Sequence, residues 1–314
     1  MVKLRYLMEY ATVMVIRAMV RLLPFGLVPM VGTTIGLVFY GIDRGHRRLA
    51  IANLRAAFPH RSPAECRALA RRTFRHFGRL LTALLKFSTM TPDEMRTRVE
   101  FAGAERVEDA HALGRGVLLF TGHFGYWELN ALVHALRLPP LAVLARALDN
   151  PHLHALLERV RTRTGNSVIY RRGAVRRVLR VLGANGTVAM LIDQHIQSAD
   201  AIVVEFFDRP AATTSALAAI AARTGAPVIP VFALPLSGGR YRMVYEHPVP
   251  PPASDDPAAL RDFMQRCTDV LEMYVRRYPD LWLWMHRRWR DLHPAIDGVP
   301  GMFPAASRNG TIEH

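Results

Sequence analysis

The chain has 314 residues, half of them hydrophobic, and a formal charge of +15. That length holds one large domain or two small ones, and the apolar share supplies a sizeable core and excludes global disorder. The surplus charge, nearly all arginine, points to an anionic partner: nucleic acid, an acidic protein or an anionic membrane face.

Residues 6–23 are apolar at helical spacing, broken only by Glu9, Arg17 and Arg21, and Pro24 ends the run. Residues 25–42 then carry no charge across 18 positions, close to the ~20 residues that cross a bilayer core. No small-residue cleavage site follows, so the segment does not read as a removed signal peptide. With Arg44, Arg47 and Arg48 behind it, the stretch 1–45 reads as an apolar anchor on an anionic membrane surface. A spanning helix, an interfacial helix and a pair of buried core helices all fit this pattern.

Residues 46–87 have a helical pattern, and Ser62, Pro63 and Glu65 form a capping box with proline at the first helical position. Cys66, in that helix, and Cys267 stand far apart with no CxxC spacing, which speaks against a disulfide framework or a cysteine-built zinc site. Residues 91–100 read as a polar connector. Thereafter apolar runs of strand length at 117–120, 141–144, 168–170, 188–192, 203–207 and 228–234 alternate with helical stretches at 127–138, 152–164, 175–182 and 215–223. This alternation predicts an α/β fold with a mostly parallel central sheet flanked by helices. A strand at 241–245, a turn at 248–252, a long helix at 258–278 and an aromatic, basic stretch at 282–289 follow. The expected organisation is an anchor at 1–45, a catalytic domain at 46–292 and a loose tail at 293–314.

Within this frame residues 116–130 stand out: a short buried strand, a glycine-flanked turn carrying His123, and a helix whose first turn carries Glu128. The His-x4-acid spacing has little value alone. Thirteen histidines and 26 acidic residues in 314 give about one such pair by chance. The sequence holds four: His60/Glu65, His123/Glu128, His195/Asp200 and His286/Asp291. Glu65 already serves its capping box, Asp291 follows three arginines, and His195 lies in a polar stretch with no element to fix it. Only His123 follows a buried strand at its carboxyl end, where open α/β sheets build their sites. Gly122 and Gly125 allow torsions that other residues resist, so the turn can bring His123 toward Glu128. A base oriented by a carboxylate, without an adjacent serine nucleophile, suits proton abstraction from a hydroxyl. A turn histidine beside a helix-capping glutamate is the bland alternative.

The stretch Thr-Gly-His-Phe-Gly-Tyr-Trp-Glu resembles the first motif of the lipid A biosynthesis acyltransferases, a branch of the glycerolipid-type acyltransferases. The likeness continues in order through Asn53 and Leu54, Arg146 to Pro151, Arg161, Asp193 and Gln194, Phe206 and Phe207, Gly225 to Val228, and Trp284 to Trp289. Tyr126 stands where that family commonly has asparagine. The resemblance implies transfer of a fatty acyl chain from a thioester, on acyl carrier protein or coenzyme A, to a hydroxyl of a lipid A-type glycolipid precursor. It implies His123 and Glu128 as catalytic residues, and Arg146, Asn150, Arg161, Asp193 and Gln194 as substrate-binding ones. It implies no acyl-enzyme, metal or cofactor, and a place at the bacterial inner membrane with the catalytic domain on the cytoplasmic side. Rival acceptors are a phosphatidylinositol mannoside or an aminolipid. From another class, a nucleic-acid-binding protein would explain the charge, using Trp282 to Arg290 as its stacking and basic surface. A serine hydrolase would need a Gly-x-Ser-x-Gly elbow, which is missing.

Overall fold

A computed structural model describes residues 2–170, 173–197 and 201–290. The expected tail at 293–314 lies outside them, as do Asp200 and Asp291.

The N-terminal third is helical: α1 (Val2–Leu22), α2 (Val28–Ile42), α3 (Arg44–Ala57) and α4 (Pro63–Phe87). The start of α4 follows its capping box, with the Glu65 amide donating to the Ser62 hydroxyl and the Ser62 amide to the Glu65 carboxylate. Gly32 and Gly36 let α2 lie directly on α4. A Cβ at Gly36 would sit 2.1 Å from the Phe74 carbonyl oxygen, and one at Gly78 would sit 2.0 Å from that of Gly32. Of the apolar run 25–42, only 15 residues are helical, about 22 Å against the ~30 Å of a hydrocarbon core. Among the described residues no helix is long and apolar enough to cross a membrane. What α1 and α2 present is a row of exposed apolar side chains, including Leu4, Met8, Val15, Leu22, Met30, Val38, Phe39 and Ile42.

The stretch 91–100 is more than a connector: it holds the short α5 (Pro92–Arg96) and opens β1 (Val99–Ala102), followed by α6 (Ala104–Ala112). The α/β layer then runs β2 (Val117–Thr121), α7 (Trp127–His134), β3 (Leu141–Ala145), α8 (Pro151–Thr162), β4 (Ser167–Tyr170), α9 (Ala174–Gly183) and β5 (Thr187–Leu191). After a hairpin, β6 (Ile202–Glu205) and β7 (Pro210–Thr213), come α10 (Ala216–Thr224), β8 (Val228–Pro235), β9 (Tyr241–Tyr245) and α11 (Pro257–Arg277). Seven strands form one sheet in the order β1-β9-β8-β2-β5-β3-β4, parallel throughout except where β8 meets β9. The expected strand at 203–207 does not join it. Instead β6 pairs antiparallel with β7, and Phe207 and Asp208 turn the hairpin at φ of 56° each.

β2 lies at the centre with all five residues buried. Its alternation serves two cores: Leu118 and Phe120 face one helical layer, Val117 and Leu119 the other. Double-sided burial is why the strand reads as an unbroken apolar run.

Candidate active site

The site forms where two central strands end together. β2 and β5 are parallel neighbours with Thr121 opposite Leu191, so the residues two positions further on, His123 and Asp193, leave the sheet side by side. Backbone details keep them close. A Cβ on Gly122 would meet Asp193 Oδ2 and a Leu271 methyl, each at 2.8 Å, so a side chain there would push the carboxylate away. Gly125 sits at φ +58°, and a Cβ on it would lie 2.0 Å from the Ala233 carbonyl oxygen of β8. That close approach lets the Tyr126 amide donate to the same oxygen at 3.0 Å, fixing the start of α7.

Asp193 is buried and accepts three hydrogen bonds. The His123 amide donates to Oδ2 (2.6 Å), the His123 ring nitrogen Nδ1 to Oδ1 (2.8 Å), and the Trp282 indole to Oδ2 (2.8 Å). Burial by itself raises a carboxyl pKa, but the His123 imidazole and these donors outweigh it and hold Asp193 down at about 2. An ionised carboxylate at Nδ1 selects the tautomer with its proton there, which makes Nε2 the ring's acceptor. The Gln194 side-chain nitrogen lies 3.4 Å from that Nε2.

The expected carboxylate is not the one that the structure brings to the ring nitrogen Nδ1. Glu128 is in the first turn of α7, as its sequence position implies, but its carboxylate points to α8 and is gripped by Arg161. Nη2 of Arg161 lies 2.7 and 2.9 Å from the two carboxylate oxygens, and Nε lies 3.1 Å from one. A bidentate guanidinium-carboxylate pair is a strong claim on Glu128. The carboxylate at Nδ1 of the imidazole is thus that of Asp193, a residue 70 positions away, while Glu128 meets Arg161.

The other expected residues separate by what they touch. Arg146 pairs with Asp149 at 2.7 Å. Asn150 caps α8, accepting from the His152 and Leu153 amides, and its Nδ2 donates to the Tyr6 carbonyl and Glu9 carboxylate of α1. Its polar atoms thus tie α1 to α8. All of His123, Glu128, Arg146, Asn150, Arg161 and Gln194 nevertheless border one cavity of about 550 Å³. Its floor is the apolar face of the sheet, with Leu119, Val143, Val231 and Met243, and α7 covers it. A polar mouth over an apolar floor suits an amphipathic ligand.

The segment at 282–289 proves to be interior. Trp282, Trp284 and Trp289 are buried in the main core, and Arg288 is buried with them, donating to the Gln194 and Ala212 carbonyls. Its rings cannot stack on bases without unfolding, which removes the surface that the nucleic-acid reading needs. His286 packs beside His123: its Nε2 accepts from the His195 amide at 3.2 Å, and burial with the nearby imidazole lowers its pKa to about 3. Sequence reasoning had no means to find the Trp282 contact, although an indole inside a buried segment, being a donor only, had to meet an acceptor somewhere.

Known proteins resemble the chain over most of its length. The curated relatives include three enzymes of Escherichia coli strain K12. The lipid A biosynthesis lauroyltransferase is 26% identical over 286 residues, 90% of each chain. The palmitoleoyltransferase is 25% identical over 85% of this chain and 86% of its own. The myristoyltransferase is 23% identical over 78% and 75%. The family model described as bacterial lipid A biosynthesis acyltransferase matches residues 1–291, and on that evidence the chain belongs to this family of acyltransferase enzymes.

Proposed function

We propose that the protein moves a fatty acyl chain from an acyl thioester, on acyl carrier protein or coenzyme A, to a hydroxyl of a lipid A-type glycolipid precursor. The observation that carries the reading is the Asp193-His123 pair, with Nε2 as acceptor at the mouth of an apolar cavity. In the proposed step the acceptor hydroxyl displaces the Gln194 amide from Nε2 and gives up its proton there. The oxygen attacks the thioester carbonyl, the tetrahedral intermediate collapses, and the imidazolium returns the proton to the departing thiolate. Asp193 stays ionised and stabilises the imidazolium. The acyl chain lies on the sheet face, and no covalent acyl-enzyme, metal or cofactor takes part. Arg161 commits Nε and Nη2 to Glu128, so its Nη1 is the group we assign to a phosphate or a developing oxyanion. Glu128 becomes the anchor of that arginine.

We further propose that α1 and α2 lie in the membrane interface. Support comes from their exposed apolar row, the exposed Arg21, Arg44 and Arg48 beside it, and the shortness of α2. The cytoplasmic side of a bacterial inner membrane supplies both an anionic face and an acyl thioester.

The test is acyl transfer by the purified, detergent-solubilised chain to a phosphorylated glucosamine disaccharide bearing hydroxyacyl chains, read by mass spectrometry of the lipid product. Transfer by the wild type and its loss in His123→Ala are expected. Turnover near wild type in His123→Ala would overturn the base assignment. Exclusive transfer to a phosphatidylinositol mannoside or aminolipid would overturn the acceptor.

A further inference from the structure

The segment that follows α11 is stitched to the His123 turn through its backbone. The Gly125 amide donates to the Leu281 carbonyl (2.9 Å) and the Leu283 amide to the His123 carbonyl (3.1 Å), with Phe124 and Trp282 forming an isolated antiparallel bridge. The arrangement drives the Trp282 side chain beneath the turn, fully buried, with its indole N–H on Asp193 Oδ2. From behind, fully buried Asn53 of α3 holds the same segment, its Nδ2 donating to the Trp284 and His286 carbonyls at 2.8 and 2.9 Å. Buried Arg288, from the next turn of chain, holds the Gln194 carbonyl and so the loop that carries Asp193.

The division of labour on the carboxylate is informative. Oδ2 takes two donors that have no part in proton transfer, the His123 amide and the Trp282 indole, while among the described residues Oδ1 meets Nδ1. A carboxylate held at one oxygen by a backbone amide only could still rotate about its Cβ–Cγ bond, since that torsion is soft. The second donor, fixed by a rigid bicyclic ring packed against Phe206, Trp284 and Trp289, removes that freedom. We propose that Trp282 is a positioning residue for the reaction, pinning Asp193 Oδ2 so that Oδ1 stays on His123 Nδ1. The inference rests on the reading of His123 as the base. Trp282 itself touches no substrate, and its effect passes through Asp193.

A ring that merely fills the core predicts something different, so the two are separable. Trp282→Phe keeps an aromatic ring and deletes the donor. Losing a hydrogen bond to a charged group predicts a kcat lower by roughly 10- to 100-fold, with KM for donor and acceptor little changed. Asp193→Asn falls at least as far, and the double variant Trp282→Phe/Asp193→Asn falls no further than Asp193→Asn alone, because the two act in series. Phe263→Leu, on α11 in the same core, removes a buried ring that none of the Trp282 ring contacts involves, so it lowers Tm and leaves kcat near wild type. Losses that multiply in the double variant, or a kcat in Phe263→Leu as low as in Trp282→Phe, would overturn the proposal.

A readout without substrate keeps it apart from the acyl-transfer reading. The chain has four tryptophans, so a 15N-indole spectrum shows four signals, and the one missing in Trp282→Phe is that of Trp282. It should resonate downfield, as an N–H on a carboxylate does, and shift markedly in Asp193→Asn. An indole signal indifferent to Asp193→Asn would overturn this inference whatever the wild type turns over. A wild type that transfers no acyl group would overturn the proposed reaction, and the base role on which this inference rests, even with the indole contact intact.

Discussion

At the scale of single residues, the two carboxylates near His123 are told apart by their partners. Asp193 accepts the Nδ1 proton and is buried among donors, whereas Glu128 is occupied by Arg161. Substitution at each should therefore fail in a different way. Asp193→Asn keeps the shape and loses the charge that selects the tautomer and stabilises the imidazolium, so kcat should drop by about a hundredfold or more. Glu128→Gln releases Arg161, whose proposed partner is a charged part of the substrate, so its loss should appear chiefly in KM. Steady-state kinetics on both variants checks this, and a kcat for Glu128→Gln as low as that of Asp193→Asn would return Glu128 to the imidazole. Gly122→Ala is the steric counterpart. The added methyl arrives 2.8 Å from Asp193 Oδ2 and Leu271, so activity should fall like that of an Asp193 variant, with a loss of ~1–3 kcal/mol in stability for overpacking. The pairing with Asp193 is invisible in the sequence because it depends on strand register: Thr121 opposite Leu191 puts two residues 70 apart at one sheet edge. The His-x4-acid spacing leads to His123 through its place after a buried strand, but it does not lead to Asp193, because spacing along one chain says nothing about the neighbouring strand.

At the scale of elements, legibility follows the strength of the local signal. The α4 start is marked by its capping box, and the central strands by long runs of branched apolar residues. The strand β1 escapes a reading of the sequence because its four residues, half-buried and including Glu100, lack such a run. The apolar stretch of β6 reads as a strand of the parallel sheet because a run of that length does not reveal its pairing partner. For α2 the residue pattern shows apolarity without direction, and the glycines supply the direction: Gly32 and Gly36 mark the face against α4, so Met30, Val38, Phe39 and Ile42 lie outward. The two faces of α2 should therefore respond in opposite ways. Phe39→Asp with Ile42→Asp should leave the protein folded and weaken its flotation with anionic vesicles at least tenfold, each buried apolar side chain being worth ~1.5–3 kcal/mol. Gly36→Leu should instead separate α2 from α4, because its Cβ starts 2.1 Å from the Phe74 carbonyl oxygen, and the loss should appear in Tm. Undiminished flotation of the double aspartate variant would show that the lipid contact lies on another face.

At the scale of the whole molecule, the same burial that builds the site makes the fold sensitive to acid. His76 of α4 and His134 at the end of α7 are both buried. His76 lies against the Gly125 carbonyl (3.1 Å) and stacks on Tyr126, and the ring nitrogen Nδ1 of His134 is 2.9 Å from the Tyr245 hydroxyl. Burial disfavours the charged imidazolium and lowers the pKa values to about 4 for His76 and about 3 for His134, against 6.5 when unfolded. Between pH 6.5 and these values the unfolded chain binds protons that the folded chain refuses, so stability falls as pH falls. Asp193 acts lower down: with a folded pKa of about 2 against 3.8, its contribution is complete above pH 4 and is lost only as pH drops toward 2. Since each tenfold change in proton affinity corresponds to ~1.4 kcal/mol, the two histidines together remove several kcal/mol, a large share of the ~5–15 kcal/mol that holds a typical domain. Tm should therefore decline steeply from pH 6.5 to 4.5, an interval whose upper part lies above the range in which carboxylates protonate. The double variant His76→Gln/His134→Gln should show a flatter decline over that interval, even if its Tm at pH 7 is lower. A wild-type Tm that stays level down to pH 4.5 would mean that both imidazoles can be protonated within the fold, and that the layers around α7 open far more readily than their packing implies.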